Sequence, residues 1–180
     1  YNDNQVAWYE NDGTPSDGGW THHTVKDYSG NGIEDLFVAD IDDDGDLDII
    51  SADGSGDKIL YHINDGTPGN GAWSTNTVIS GSDADGAMSV HVADIDTDGD
   101  LDIVAALFMT SHVVWIENDG SPNNGGWTSH DVVSSSSSKE SYDVTVADID
   151  GDGDLDILEA DQTNKIYWYE NDGTPDDGTW

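Results

Sequence analysis

Residues 39–50 read Ala39-Asp40-Ile41-Asp42-Asp43-Asp44-Gly45-Asp46-Leu47-Asp48-Ile49-Ile50, and the Ala-Asp-Ile-Asp opening returns at Ala93 and Ala147, 54 residues on each time. Two further landmarks keep the same phase. Asn-Asp-Gly followed by Thr or Ser and then Pro begins at Asn11, Asn64, Asn118 and Asn171, and a tryptophan follows nine residues later at Trp20, Trp73, Trp127 and Trp180. Three landmarks in one phase define a repeat of 53–54 residues. The units divide as 20–72, 73–126 and 127–180, the last including the start of a further repeat, and 1–19 supplies the last strand and turn of an earlier unit.

Within the first unit, Trp20–Val25, Leu36–Ala39, Leu47–Ala52 and Ile59–Ile63 are rich in β-branched, aromatic and leucine side chains, with Gly, Asp, Asn and Ser clusters between them. That pattern predicts four short strands per unit. No window carries the three-and-four apolar spacing of an amphipathic helix, so the chain is expected to be all-β. Four strands in this length match one β-propeller blade, whose repeats run to about 40–50 residues.

The chemistry sits between the second and third strands of each unit. Sixteen of the 39 acidic residues fall in the three loops 40–48, 94–102 and 148–156. Carboxylates packed so closely repel one another unless a hard cation lies among them. Loop positions one, three, five and nine are spaced to converge on one ion, with the backbone carbonyl of position seven and a glycine turn at position six. The expected side-chain ligands are Asp40, Asp42, Asp44 and Asp48, then Asp94, Asp96, Asp98 and Asp102, then Asp148, Asp150, Asp152 and Asp156. Asp46, Asp100 and Asp154 hold the carbonyl position. Oxygen-only donors rich in carboxylate select Ca²⁺ over Zn²⁺ and Mg²⁺, with about three ions per chain, one per repeat. Position twelve, where an EF-hand loop carries a bidentate Glu, is Ser51, Ala105 and Glu159, and the strand-like flanks exclude a helix-flanked EF-hand.

Composition narrows the partners. With 39 acidic against 4 basic residues and a formal charge of -35, the chain has no basic patch for nucleic acid or anionic lipid. Lys26, Lys58, Lys139 and Lys165 stand singly, and arginine is absent. Its longest apolar run, Ile103–Met109, is too short to span a bilayer. With 34% hydrophobic residues, including seven Trp, the chain is nonetheless able to build a core. There is no cysteine to staple it. The start at Tyr1, with neither a signal-peptide pattern nor an initiator methionine, reads as a processed product or a fragment.

The run Val146-Ala147-Asp148-Ile149-Asp150-Gly151-Asp152-Gly153-Asp154-Leu155-Asp156-Ile157 closely resembles the motif of FG-GAP or VCBS type repeats, and the resemblance extends over nearly the whole chain. It implies integrin-like propeller blades with a calcium loop in each, in an extracellular or cell-surface protein with adhesive, glycan-binding or enzyme-accessory roles. Asp43 and Thr97 stand where the third copy has Gly151, a position that supplies no ligand.

Three blades cannot ring a channel. The expectation is a chain completed by further blades or by other copies of itself, as a ring or a filament, because orphan strands pair with other chains. The tryptophans fall in two phases: Trp8, Trp115 and Trp168, with Tyr61 standing in, close the fourth strand, and Trp20, Trp73, Trp127 and Trp180 open the first. Packing between blades is the simplest reading, and a sugar-stacking platform is the alternative. The Asn-Asp-Gly-Thr/Ser-Pro segments read as turns, and Ser134–Ser138 as a surface loop. His23 and His130 share a repeat position held by Asn76 in the middle unit and read as ordinary strand residues. No Gly-x-Ser-x-Gly, cysteine or singular carboxylate pair marks a catalytic centre, so no enzyme activity is expected. The sequence thus predicts a calcium-stabilised extracellular module, structural or adhesive. Its alternatives are a glycan-binding, lectin-like propeller and a non-catalytic accessory domain of a polysaccharide-active enzyme.

Overall fold

The computed structural model describes residues 4–28, 32–133 and 140–180. Tyr1, Lys139 and the Ser134–Ser138 run lie outside the described residues. Thirteen strands follow one another with no α-helix among the described residues: β1 (Gln5–Asn11), β2 (Trp20–Asp27), β3 (Ile33–Ala39), β4 (Asp48–Asp53), β5 (Lys58–Ile63), β6 (Ser74–Ser80), β7 (Ala87–Ala93), β8 (Asp102–Leu107), β9 (His112–Asn118), β10 (Trp127–Val133), β11 (Ser141–Ala147), β12 (Asp156–Asp161) and β13 (Ile166–Tyr169). They form four antiparallel sheets: the ribbon β1-β2, sheet I (β3-β4-β5-β6), sheet II (β7-β8-β9-β10) and sheet III (β11-β12-β13). The fold is all-β, with sheets of the β-propeller blade type.

The sheet boundaries correct the division at Trp20, Trp73 and Trp127. Each of those residues begins, or immediately precedes, the strand that closes the preceding sheet, as the pairings Asn11↔Trp20, Ile63↔Ser74 and Asn118↔Trp127 record. The reason is local. The Asn-Asp-Gly-Thr/Ser-Pro segment is a hairpin connection, with a single 3-10 turn at Pro15–Asp17, Pro68–Asn70 or Pro122–Asn124 that reverses the chain. The strand after it therefore pairs with the strand before it. The change of sheet comes one strand later, between β6 and β7 and between β10 and β11.

Sheets stack face to face, and the two-residue period of a strand decides which neighbour each side chain meets. In β8, Ile103, Ala105 and Leu107 pack toward sheet I in one apolar cluster, with Ile50, Ala52, Ile59 and Tyr61. Val104 and Ala106 pack toward sheet III in another, with Val144 and Ile157. A third, smaller cluster of Val6, Val25 and Ile49 joins the ribbon to sheet I. Strands β4 and β8 are consequently buried at every residue. Their small residues Ala52, Ala105 and Ala106 let sheets approach closely, while each fully buried Ile or Leu contributes about 1.5–3 kcal/mol by leaving water.

The first strands of sheets I, II and III, β3, β7 and β11, bring repeat-equivalent residues into contact. Ser89 Oγ lies 3.0 Å from Asp35 Oδ2 and 2.9 Å from Asp143 Oδ1. Those three residues are 54 positions apart in sequence, so the repeat period becomes a side-by-side array in space.

Candidate metal centres

Each Asp-rich loop turns between the first two strands of a sheet, and its backbone requires the residue types found there. Gly45, Gly99 and Gly153 take φ of 95°, 104° and 107°, where a Cβ is strained. The residue two before each glycine is also left-handed: Asp43 at φ 54°, Thr97 at 63° and Gly151 at 83°. The β-branched Thr97 fits that region worst.

Ladder and loop together gather the carboxylates at positions one, three and nine. In each of the sets Asp40, Asp42 and Asp48, Asp94, Asp96 and Asp102, and Asp148, Asp150 and Asp156, one oxygen per residue lies within 4.8 Å of the others. Asp48, Asp102 and Asp156 are fully buried at the start of their strands. The expected ligands at position five, Asp44, Asp98 and Asp152, are not in these sets. Their Oδ1 atoms accept from the backbone N–H of Asp46, Asp100 and Asp154 at 2.9, 2.8 and 2.9 Å, which shapes the turn. Asp46, Asp100 and Asp154 direct their carboxylates at Gly66, Gly120 and Gly173 of the Asn-Asp-Gly turns, where a Cβ would lie within 3 Å of the Oδ2 atoms.

The turn asparagines complete the support. Asn64 and Asn118 each give a backbone N–H to the buried Asp48 or Asp102, at 2.8 and 2.9 Å, and Asn171 does the same for Asp156 at 3.0 Å. Ile41, Ile95 and Ile149 offer their N–H groups to the second oxygens of the same carboxylates. Tyr61 O–H adds a donor to Asp48 at 2.8 Å.

These donors do not offset the cost of removing charge from water. Burial raises the Asp48 carboxyl above the usual range and pushes Asp102 up to about 7, against the lowering effect of the Asn118 and Ile95 N–H groups. Asp96 and Asp150 are also raised, by desolvation and by neighbouring carboxylates. Asp42 Oδ1 and Asp94 Oδ1 are buried with no hydrogen-bond partner. An oxygen-only pocket with unpartnered carboxylate atoms and a net charge deficit fits a hard divalent cation such as Ca²⁺.

The aromatics divide by burial. Tyr61 and Trp115 are fully buried, while Trp20 and Trp168 are about half exposed at 48% and 46%. Trp73 and Trp127 fold back on their own turns, each indole N–H donating to the carbonyl of Pro68 or Pro122 at 3.2 Å. Trp180 packs against the cluster between sheets II and III.

Sequence reasoning missed a mixed cluster. Glu117, His130 and Asp176 present three ligand atoms within 4.8 Å of one another, with Glu117 Oε2 and His130 Nε2 at 2.8 Å. The available signal was the pairing of Trp-x-Glu on one strand with a histidine three residues after the tryptophan that opens the next.

The family model described as FG-GAP-like repeat matches residues 40–105 and 102–159, more than half of the chain. The chain belongs to that family. Among solved structures it is similar to a lectin of Agrocybe aegerita, the subject of work on specific recognition of non-reducing terminal N-acetylglucosamine, at 24% identity and a TM-score of 0.59. The likeness covers 95% of this chain and 45% of that one, so the chain spans less than half of the lectin's length. Comparison with curated proteins gives no significant match.

Proposed function

We propose that the chain is an extracellular, calcium-stabilised propeller module with a structural or adhesive role, completed by further blades or by other copies of itself. The observation that carries this reading is the threefold carboxylate triad, each with one fully buried aspartate, in a chain of charge -35. Three ions would neutralise part of that field at the points where it is most concentrated. At Ca²⁺ concentrations of about one to ten times Kd, each site stabilises by about 0.4–1.4 kcal/mol. Millimolar calcium outside the cell suits sites of that strength, whereas scarce cytosolic calcium leaves them empty. Self-assembly draws on the edge strands β1 and β13 of the two sheets that have fewer than four strands among the described residues, the ribbon and sheet III. The role is one of binding and support, without catalysis. Among the described residues no helix is long and apolar enough to cross a membrane.

Sedimentation and circular dichroism with millimolar Ca²⁺ and then with excess EGTA test the reading. The expected result is three ions bound, with chelation lowering the unfolding temperature and dissociating any oligomer. A chain indifferent to chelation overturns it.

Glycan binding is the second reading, favoured by an apolar cleft of about 240 Å³ between the ribbon and sheet I. Trp8 and Trp73 line it beside Pro68, an arrangement able to stack a sugar face. The lectin's ligand makes N-acetylglucosamine the first probe. Binding by the wild type with loss in Trp73→Ala supports this reading, and a blank glycan array at millimolar Ca²⁺ removes it.

A further inference from the structure

We infer that Glu117, His130 and Asp176 form a transition-metal site, of the Zn²⁺ class, that ties the turn after β13 to sheet II. It is chemically distinct from the Asp loops and independent of the calcium reading.

The donor set comes from three places. Glu117 lies on β9, His130 on the adjacent β10, and Asp176 in the 3-10 turn Pro175–Asp177 that follows sheet III. The imidazole is oriented before any ion arrives. Its ring stacks on the buried Trp115 with centroids 4.5 Å apart and planes 21° from parallel, and its Nε2 faces Glu117. Pro175 is buried beside Asp176 and anchors the turn. One imidazole nitrogen with two carboxylates is a donor set that Zn²⁺ and its neighbours accept, in contrast to the oxygen-only sets chosen by Ca²⁺. Asp176 is exposed, so a fourth position is open to water.

The other seams make the argument comparative, because the same turn lies over the same strand position in each. Between the ribbon and sheet I, His23 stacks on Trp8 at 4.3 Å and pairs with Glu10 at 3.0 Å, repeating the first two donors. The turn residue there is Gly69, its Cβ position 3.6 Å from His23 Cε1, so the third donor is missing. Between sheets I and II the corresponding residues are Ile63, Asn76 and Asn123. There Asn123 accepts from Asn76 Nδ2 at 3.4 Å through its carbonyl and donates to Asp42 Oδ2 at 2.8 Å. Only the seam carrying Asp176 holds all three donors among the described residues.

The prediction is one high-affinity transition-metal site per chain. Isothermal titration with Zn²⁺, and absorption spectroscopy with Co²⁺, are performed in millimolar Ca²⁺ so that the Asp loops are saturated, and repeated without calcium. His130→Asn, which installs the residue naturally present at position 76, should weaken Zn²⁺ binding about tenfold or more and abolish the nitrogen-ligated Co²⁺ spectrum. His23→Asn should leave both unchanged. Gly69→Asp supplies the absent donor at a position with room for a Cβ and should raise the stoichiometry from one to two. Zn²⁺ affinity unaffected by His130→Asn, or no Zn²⁺ binding in the folded wild type, overturns the inference. Failure of the calcium reading would show instead as three missing Ca²⁺ ions, with the His130 dependence intact.

Discussion

The loops 94–102 and 148–156 differ at one residue, Thr97 against Gly151, yet they occupy different environments. Ile95, second in its loop, is 1% exposed and lies in the cluster between sheets II and III, whereas its counterpart Ile149 is 46% exposed. Asp94 and Asp96 are partly buried, and Asp148 and Asp150 are exposed. What separates the copies is the next sheet. Loop conformation is written in the loop, but its burial is supplied by the blade that follows. Among the described residues, sheet III covers the second loop and nothing covers the third.

The comparison breaks most visibly at the isoleucine. Ile95→Ala should cost about 2–5 kcal/mol in denaturant unfolding, while Ile149→Ala should stay within about 0.5 kcal/mol. Equal costs would mean that the third loop is also covered.

Titration extends the contrast to sheet I, where the strand position of Ile116 and Tyr169 is occupied by the fully buried His62. His62 Nε2 is 2.9 Å from Ser51 Oγ and its Nδ1 is 3.1 Å from Thr75 Oγ1, with the Tyr28 ring beside it. Burial, with a further contribution from Lys26, lowers its pKa to about 4. The unfolded chain therefore binds a proton that the folded chain refuses. Stability is complete above about pH 6.5 and falls by up to about 1.4 kcal/mol per pH unit as pH drops toward 4. His62→Gln should flatten that segment of the melting-temperature profile, and an unchanged slope would assign the acid sensitivity to other groups.

Metal load should ignore cover, because the donors are the same in both loops. On the calcium reading proposed above, Asp102→Asn and Asp156→Asn are each expected to lower Ca²⁺ stoichiometry from three to two and to remove about 0.4–1.4 kcal/mol of calcium-dependent stability. Retention of three ions by either variant in equilibrium dialysis would strike that aspartate from the ligand set. The smallest effect is a gain. Thr97→Gly, which copies Gly151, relieves a left-handed β-branched residue and should raise the melting midpoint by the equivalent of about 0.5–1 kcal/mol. A loss of stability there would show that the Thr97 side chain has a compensating contact.

Much of this was legible from sequence because it is local. The 54-residue phase, the strands flanking each Asp loop and the glycines at position six all follow from neighbouring residues. Sheet boundaries were less accessible, since the hairpin after β5 and the crossing from β6 to β7 both read as clusters of Gly, Asp and Ser. Position five is expected as a ligand from its alternation, and in the structure its Oδ1 accepts the backbone N–H two residues on, as position three does in the second and third loops. The Glu117–His130–Asp176 group was hidden for another reason. Its third member comes from a different sheet, and sequence spacing carries no information about which turn overlies which strand.

The alternation along β8 has a consequence for motion. Among the described residues each sheet packs on the sheets next to it, so stability is distributed along a line, and opening is least costly where a neighbour is missing. Amide exchange should therefore be graded across the molecule. The slowest protons belong to β8 and β9, held from both faces, and protection declines through sheet III on one side and toward the β1-β2 ribbon on the other. A partner that covers an outer sheet would slow exchange there first, and the change would pass inward one sheet at a time.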